Sequence, residues 1–477
     1  MVLRTIHSYY NRSREVIVVY CALIVVAELV LWVIRSFFSS GETGSLLRRA
    51  QAVVFLEFLM SLASVLIWIR CTQLTSLPPN RKMSLNIVEQ SAHLISGSDF
   101  LHSGLLMFLL FTHSCFLLFY VLLSEEPHWF AMVSFTCAGA FVHLSGFLIA
   151  FSVWELLVLA LIQYGGCCGL WLQSLWVAHP RLRTLVLGSR FHTLCSLVLT
   201  VLFTVFGLLV AFSPPTVKHQ TIYLKKLPDA FDGYRIVLLT DVHIGPTVGR
   251  RKVQESVDMV NHLKPDLVAL AGDLIDGSVD HLYLAADPLK HLMAKHGVYF
   301  STGNHEYYHG SVERWMEHLE TLGVRPLHNA NVRLMPDNAE ASDDYICFAG
   351  VDDIFSEKSG VSGHHMDVGA ALSQCDRSRV IIMMVHQPNG AKKILESHDG
   401  YAVDLILSGH THGGQMYVMV PIAYMSQAFY LGLYQHVSGT QVYVSAGLNY
   451  FGPPIKMLGF REISLLTLRK GTPKNTN

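Results

Sequence analysis

Six stretches in the first 213 residues are long and apolar enough to cross a bilayer, and they stop at Pro214-Pro215. A spanning helix needs about 20 such residues, and in lipid only a helix or a closed barrel satisfies its own backbone groups. The runs lie near 16–36, 51–70, 101–123, 129–151, 155–177 and 192–213. Because the chain from Trp129 to Ala178 is almost continuously apolar, the count is five or six. The first run comes after "RTIHSYYNRSRE" without a small-residue cleavage site, so it reads as a retained span. Composition agrees: 51% of residues are hydrophobic and 15% charged, with a mean hydropathy of +0.37, too apolar for an ordinary soluble chain. The expected architecture is a multi-pass helical region over 1–213, a linker at 214–218, an α/β domain over 219–470 and a polar tail at 471–477.

Glu28, Glu57, His113, His143 and Glu155 fall inside or beside the apolar runs. Charge at such depth is costly and often marks a pathway. These five form no repeat and no stripe along one helix, so they read as interhelical pairs or interfacial groups. A transporter or channel is the function that a pathway would imply. Orientation is set by the Lys and Arg near the spans. Six spans put Arg4, Arg12, Arg14, Arg70, Arg81, Lys82, Lys218, Lys225 and Lys226 on the cytoplasmic side, against Arg35, Arg48, Arg49, Arg181, Arg183 and Arg190. That bias places the C-terminal domain in the cytoplasm; a count of five reverses it.

Residues 218–477 carry 23 Lys and Arg against 27 Asp and Glu, a net charge of −4. Such a surface offers no footprint for a nucleic-acid backbone. Its two cysteines, Cys347 and Cys375, lack the spacing of a zinc finger or a disulfide framework and read as small core or loop residues. Strand-like and helical patterns alternate through this half. "HQTIYL", "YRIVLLT", "DLVALAG", "GVYFSTG", "YICFAGV", "RVIIMMVH", "VDLILSGH", "QVYVSAG" and "EISLLTL" read as strands; "VQESVDMVNHL" and "LAADPLKHLMAKH" read as helices.

The residues that close these strands are unusual. Asp241 and His243 close one, Gly272 and Asp273 a second, and Gly303, Asn304, His305 and Glu306 a third. His386 closes a fourth, and Gly409, His410 and His412 a fifth. The carboxyl edge of an α/β sheet is where ligand sites are built. Carboxylate, amide and imidazole together suit divalent metals such as Mn, Fe or Zn, and no thiolate is present to favour a softer ion. Any one of these residues alone is an ordinary loop residue. Five strand ends of one chemistry in one domain indicate a metal site.

The ordered set Asp241-Val242-His243, Gly272-Asp273, Gly303-Asn304-His305-Glu306, His386 and Gly409-His410-Thr411-His412 resembles the calcineurin-like metallophosphoesterases. The likeness spans about 218–470. The fuller forms "FDGYRIVLLTDVHIG" and "GHTHGGQ" look like the bacterial membrane-associated branch that includes UDP-2,3-diacylglucosamine hydrolases. The resemblance implies a β-sandwich flanked by helices and a centre of two divalent metal ions. Asp241, His243 and His412 would hold one ion and Asn304, His386 and His410 the other, with Asp273 bridging. His305 would stand beside them as the general acid, and Glu306 is either its orienting partner or a helix-start residue. Two cations roughly 3.5–4 Å apart would bind phosphate oxygens and turn a bridging water into hydroxide.

The departures narrow the branch. Gly277 stands where the family's protein phosphatases carry Arg, which argues against a phosphoprotein substrate. Ala446 and Lys456 replace arginines of the bacterial branch, and Arg250 and Arg251 are candidate cations at the site mouth. The implied activity is membrane-anchored hydrolysis of phosphoric esters. The alternative is a catalytically silent receptor or scaffold for a phosphorylated ligand. The linker "SPPTVK" reaches about 20 Å at most, whereas a domain of this size has a radius of gyration near 18 Å. The domain must therefore lie against the membrane, with lipids as neighbours and a lipid phosphoester as the expected substrate.

Overall fold

The computed structural model describes residues 26, 28–34, 41–74, 87–309, 311–336, 344–397 and 402–472. Most of the first apolar run lies outside these. Four of the described helices are long and apolar enough to span a membrane: α1 (Gly41–Thr72), α2 (Ile87–Val121), α3 (Trp129–Tyr164) and α4 (Ser189–Phe212). The runs read at 129–151 and 155–177 do not divide where the sequence suggested. α3 continues unbroken for 36 residues, about 54 Å, and the short helices Gly166–Ala178 and Pro180–Leu187 come after it. Residues 129–151 and the first ten of 155–177 thus lie on one continuous helix.

The chain divides into two compact units, Met1–His113 with Ala140–Leu202, and Ser114–Gly139 with Phe203–Asn477. The second unit holds twelve strands in two six-stranded sheets. The first sheet contains β1 (Thr216–Leu224), β2 (Arg235–Leu239), β3 (Leu267–Ala271), β4 (Val298–Ser301), β5 (Val324–Pro326) and β12 (Glu462–Lys470), in the order β1-β12-β2-β3-β4-β5. The second contains β6 (Ala330–Leu334), β7 (Ile346–Gly350), β8 (Val380–Met384), β9 (Leu405–Ser408), β10 (Gly432–Gln435) and β11 (Gln441–Val444), in the order β10-β11-β9-β8-β7-β6. β2, β3, β4 and β5 run parallel, as do β7, β8, β9 and β11.

All of these but the edge strand β5 are buried on both faces, which is why they read as unbroken apolar runs rather than alternating ones. Leu267, Ala269 and Ala271 of β3 meet Ile382, Met384 and Leu407 between the sheets, while Val268 and Leu270 turn to the outer helices. α5 (Arg250–His262) and α6 (Val279–Ala286) cover the first sheet with Val253, Val257, Leu282 and Ala285. Ala391, Ile394 and Leu395 of helix Pro388–Leu395 cover the second. The result is an α/β sandwich flanked by helices.

Two expectations change here. "LAADPLKHLMAKH" is not one helix: α6 ends at Ala286, a 3-10 turn comes next, and Pro288, which lacks an N–H, sits at the break. Cys347 of β7 and Cys375 are not separate core or loop residues but a disulfide pair.

Candidate metal centre

All five strand ends meet in the gap between the two sheets. Each chain turn there is locally difficult. Asp241, His243, Asp273, His410 and His412 all have φ between 51° and 70°, five of the nine non-glycine residues with positive φ among the described residues. Such conformations are uncommon and persist where surrounding structure enforces them. The glycines act in two ways. Gly272 has φ +82°, a true left-handed turn. Gly303 and Gly409 do not; a Cβ on them would fall 2.2 Å from Asp273 Oδ1 and 2.4 Å from Asp241 Oδ2. They are glycine so that the carboxylates can come close.

Two donor groups result. Asp241, His243 and His412 form one, with His412 Nε2 3.3 Å from Asp241 Oδ1 and 3.0 Å from His243 Nε2. Asp273, His386 and His410 form the other, with His386 Nε2 3.0 Å from Asp273 Oδ2. That same Oδ2 is 3.9 Å from His243 Nε2, so Asp273 stands between the groups. Asn304 opens helix α7 (Asn304–Tyr308) beside them, and Gln387 Nε2 donates to its Oδ1 at 3.4 Å and to Asp353 at 2.8 Å.

The donors fit divalent cations. A metal about 2.0–2.2 Å from each of several N and O atoms leaves those atoms about 3–3.5 Å apart, as found here. His410 Nδ1 is buried and makes no hydrogen bond, while His386 Nε2 has only the Asp273 carboxylate beside it. A buried nitrogen without a partner costs about 1–3 kcal/mol, so it needs a further group.

The surrounding shell holds residues that the sequence reading missed. Asp276 accepts hydrogen bonds from His243 Nδ1 at 3.0 Å and from His305 Nδ1 at 2.7 Å, which turns both Nε2 atoms inward. This carboxylate next to metal-directed imidazoles fixes tautomer and ring angle. Burial opposes its charge, but His243 and His305 hold its carboxyl well below the usual range. The signal was present as a second acid three residues after Asp273. Burial likewise pulls His305 down, yet the carboxylates of Asp273 and Asp276 outweigh it and lift the imidazole to about 9. Glu306 does not orient His305. It accepts from the backbone N–H groups of Gly303 (2.6 Å), Asp273 (3.2 Å), Leu274 (2.8 Å) and Ile275 (3.3 Å), tying two metal-side loops together. Burial raises its carboxyl to about 7.

The other candidate cations lie elsewhere. Arg250 pairs with Asp287 at 3.0 Å and Glu125 at 3.4 Å rather than facing the centre. Arg251 receives Glu126 at its backbone N–H, 2.8 Å away. Lys456 is buried and donates to the backbone carbonyls of His412 (3.0 Å) and Ala446.

This fold with this centre defines a class. Residues 234–414 match the calcineurin-like phosphoesterase family. The chain belongs to the transmembrane metallophosphoesterases of that family and is a phosphoric ester hydrolase, for which divalent metal ions are implied. It is 35% identical to the Transmembrane protein with metallophosphoesterase domain of Danio rerio, over 90% of this chain and 91% of that one. The protein of that name from Bos taurus is 37% identical, over 88% and 89%. A Putative metallophosphoesterase of Caenorhabditis elegans is 40% identical, over 79% and 75%.

Proposed function

We propose that the protein hydrolyses the phosphoester headgroup of an amphiphile held in the bilayer. One segment carries this reading, Phe451 to Lys456. The Phe451 ring packs against His305 and His243, with centroids 4.6 and 5.4 Å apart. The next residues run among the ends of the spanning helices. Pro453 and Ile455 lie where a Cβ on Gly139 of α3 would be, Ile455 also closes on Gly207 of α4, and Lys456 N–H donates to the Gly207 carbonyl at 3.2 Å. Six residues thus link the metal centre to apolar helices. A headgroup at that depth is within reach of the site; a soluble substrate needs no such link.

In this reading Asp241, His243 and His412 hold one metal ion, Asn304, His386 and His410 a second, and Asp273 both. Bound there, the ions supply Lewis acidity toward the phosphoryl oxygens and an activated water at neutral pH. His305, held by Asp276 through Nδ1, presents Nε2 to the departing oxygen and gives it a proton. The silent-receptor alternative is disfavoured by the complete donor set. Purified full-length protein in vesicles should hydrolyse vesicle-borne phosphatidic acid with a higher kcat/KM than soluble nucleotides. A wide preference for the nucleotides sinks the lipid reading.

The side of the membrane follows from the count of spans. Counting α3 as one crossing leaves five apolar runs in the sequence. Arg4, Arg12, Arg14, Arg70, Arg81, Lys82, Arg181, Arg183 and Arg190 then share one side, and only Arg35, Arg48, Arg49, Lys218, Lys225 and Lys226 the other. The same rule now favours a non-cytosolic catalytic domain. The Cys347–Cys375 disulfide supports that side, since such bonds persist mainly in oxidising compartments. Protection of the C-terminal domain from added protease in sealed microsomes is the expected result.

A further inference from the structure

From Leu405 to Ile455 the chain contains no Asp, Glu, Lys or Arg. Within this stretch, immediately after the turn that carries His410 and His412, helix α8 (Val420–Ser426) has no buried residue at all. Tyr417 before it is 43% exposed, Ile422 55%, Tyr424 67% and Met425 77%. A helix apolar around its surface is expected in a core or in lipid, not in water. Here the protein leaves the side of Ile422, Tyr424 and Met425 without cover.

Two contacts say what covers it. Tyr417 packs edge-on against Phe203, with ring centroids 5.6 Å apart and planes at 83°. Phe203 lies nine residues before Phe212, the last residue of α4, or about 13 Å along a helix that reads as a bilayer span. Tyr417 therefore sits at the depth of membrane-embedded side chains. On the other side the helix is fastened to the metal-site turn. A Cβ on Gly414 would fall 2.8 Å from Val420, Tyr430 Oη donates to the Gly413 carbonyl at 2.7 Å, and Thr411 Oγ1 donates to the Tyr430 carbonyl at 2.8 Å.

We infer that α8 and the preceding Tyr417 are embedded in the bilayer, with Ile422, Tyr424 and Met425 against lipid. The segment carries no Asp, Glu, Lys or Arg whose charge would have to be buried in lipid. The helix forms one wall of the route by which an acyl-chain-bearing phosphoester reaches the centre; this second part rests on the lipid reading above.

The embedding and the route are tested separately. Full-length Met425→Trp and Tyr424→Trp proteins go into phosphatidylcholine vesicles with and without brominated acyl chains, with the parent protein's signal from its seven tryptophans subtracted. Quenching of the added emission by the brominated lipid is expected for both. Quenching by aqueous acrylamide in place of the lipid overturns the embedding, whatever the enzyme's activity. For the route, Ile422→Asp/Met425→Asp should lower kcat/KM on vesicle-borne phosphatidic acid about tenfold or more, the effect of losing roughly one buried apolar side chain. Its kcat/KM on p-nitrophenyl phosphate should stay within twofold of the parent's. Equal losses on the two substrates overturn the route. A parent that hydrolyses neither refutes the lipid reading itself, while the quenching result still decides the embedding.

Discussion

Two clusters of ionisable groups among the described residues are built on opposite principles. Among the spanning helices, Arg70 donates to Glu155 at 2.8 Å and to Ser152 at 2.6 Å. His192 donates through Nδ1 to the same glutamate at 2.7 Å, and its Nε2 lies 2.9 Å from the Leu185 carbonyl. His113 meets Glu57 at 2.5 Å and Ser64 at 3.0 Å. These charges are consumed by one another. In the catalytic unit, by contrast, His386 and His410 converge on a carboxylate-rich gap where His410 Nδ1 is buried without a hydrogen bond. Closed networks hold helices together, whereas donors left open await a cation. The difference assigns Arg70, Glu155, His192, His113 and Glu57 to structure rather than to a pathway, and the chemistry to the sandwich.

Removing the central carboxylate tests the open cluster most severely. Asp273→Ala should lose bound metal, measured by elemental analysis, and reduce turnover to background while the membrane region still inserts. Full metal content with normal turnover would falsify the bridging role. His305→Ala should be milder, with metal retained and the rate down about 10²–10⁴-fold, less for substrates with good leaving groups. Asp276→Asn should cost about 10–100-fold in activity or metal affinity, because it loosens two imidazoles at once. A loss equal to that of His305→Ala with no change in metal affinity would confine Asp276 to His305 alone.

The closed cluster should answer differently. Glu155→Gln should leave metal content and p-nitrophenyl phosphate turnover within twofold, yet lower stability by about 3–5 kcal/mol because Arg70 stays buried without its partner. Lost turnover at unchanged stability would erase the distinction between the two clusters.

A third, smaller network gives the weakest effect. A hydrogen bond from His328 to Asp352 at 2.8 Å holds the histidine above its ordinary pKa. Burial opposes ionisation of Asp352, but its bonds to His328 and His364 still hold its carboxyl low. A raised histidine stabilises below its unfolded pKa and loses that contribution as pH climbs through the folded value; a lowered carboxylate loses it as pH falls. The difference in melting temperature between parent and His328→Gln should thus be greatest near pH 5–6, by the ordinary values of the two groups, and shrink toward pH 8–9. A constant difference across that range would show that the pair is not ionic.

Most of the centre was legible as residue types after apolar strands, because the inner strands are short, buried on both faces and end in turns that few residues tolerate. Asp276 escaped because an acid in a turn needs no further explanation. Glu306 was legible in part: its bond to the Gly303 N–H is the helix-start role, but its three other backbone donors lie about thirty residues away and leave no local pattern. The Cys347–Cys375 pair lies 28 residues apart with no framework around it. Strands β5, β6 and β10 were missed since each is three to five residues long and none is fully buried. Hydropathy marked where the apolar run around α3 lay but not whether it turned back.

The order of the first sheet carries a cost during synthesis. β12 is inserted between β1 and β2, pairing with β1 in parallel and with β2 antiparallel. The first strand after the membrane thus has no neighbour until the ribosome has made some 240 further residues, about 12–48 s at 5–20 residues per second. Throughout that interval the nascent chain displays two unpaired edges beside the membrane surface. Loss of β12 would leave β1 without its neighbour in the sheet, so quality control of this protein should respond to whether Glu462–Lys470 has paired.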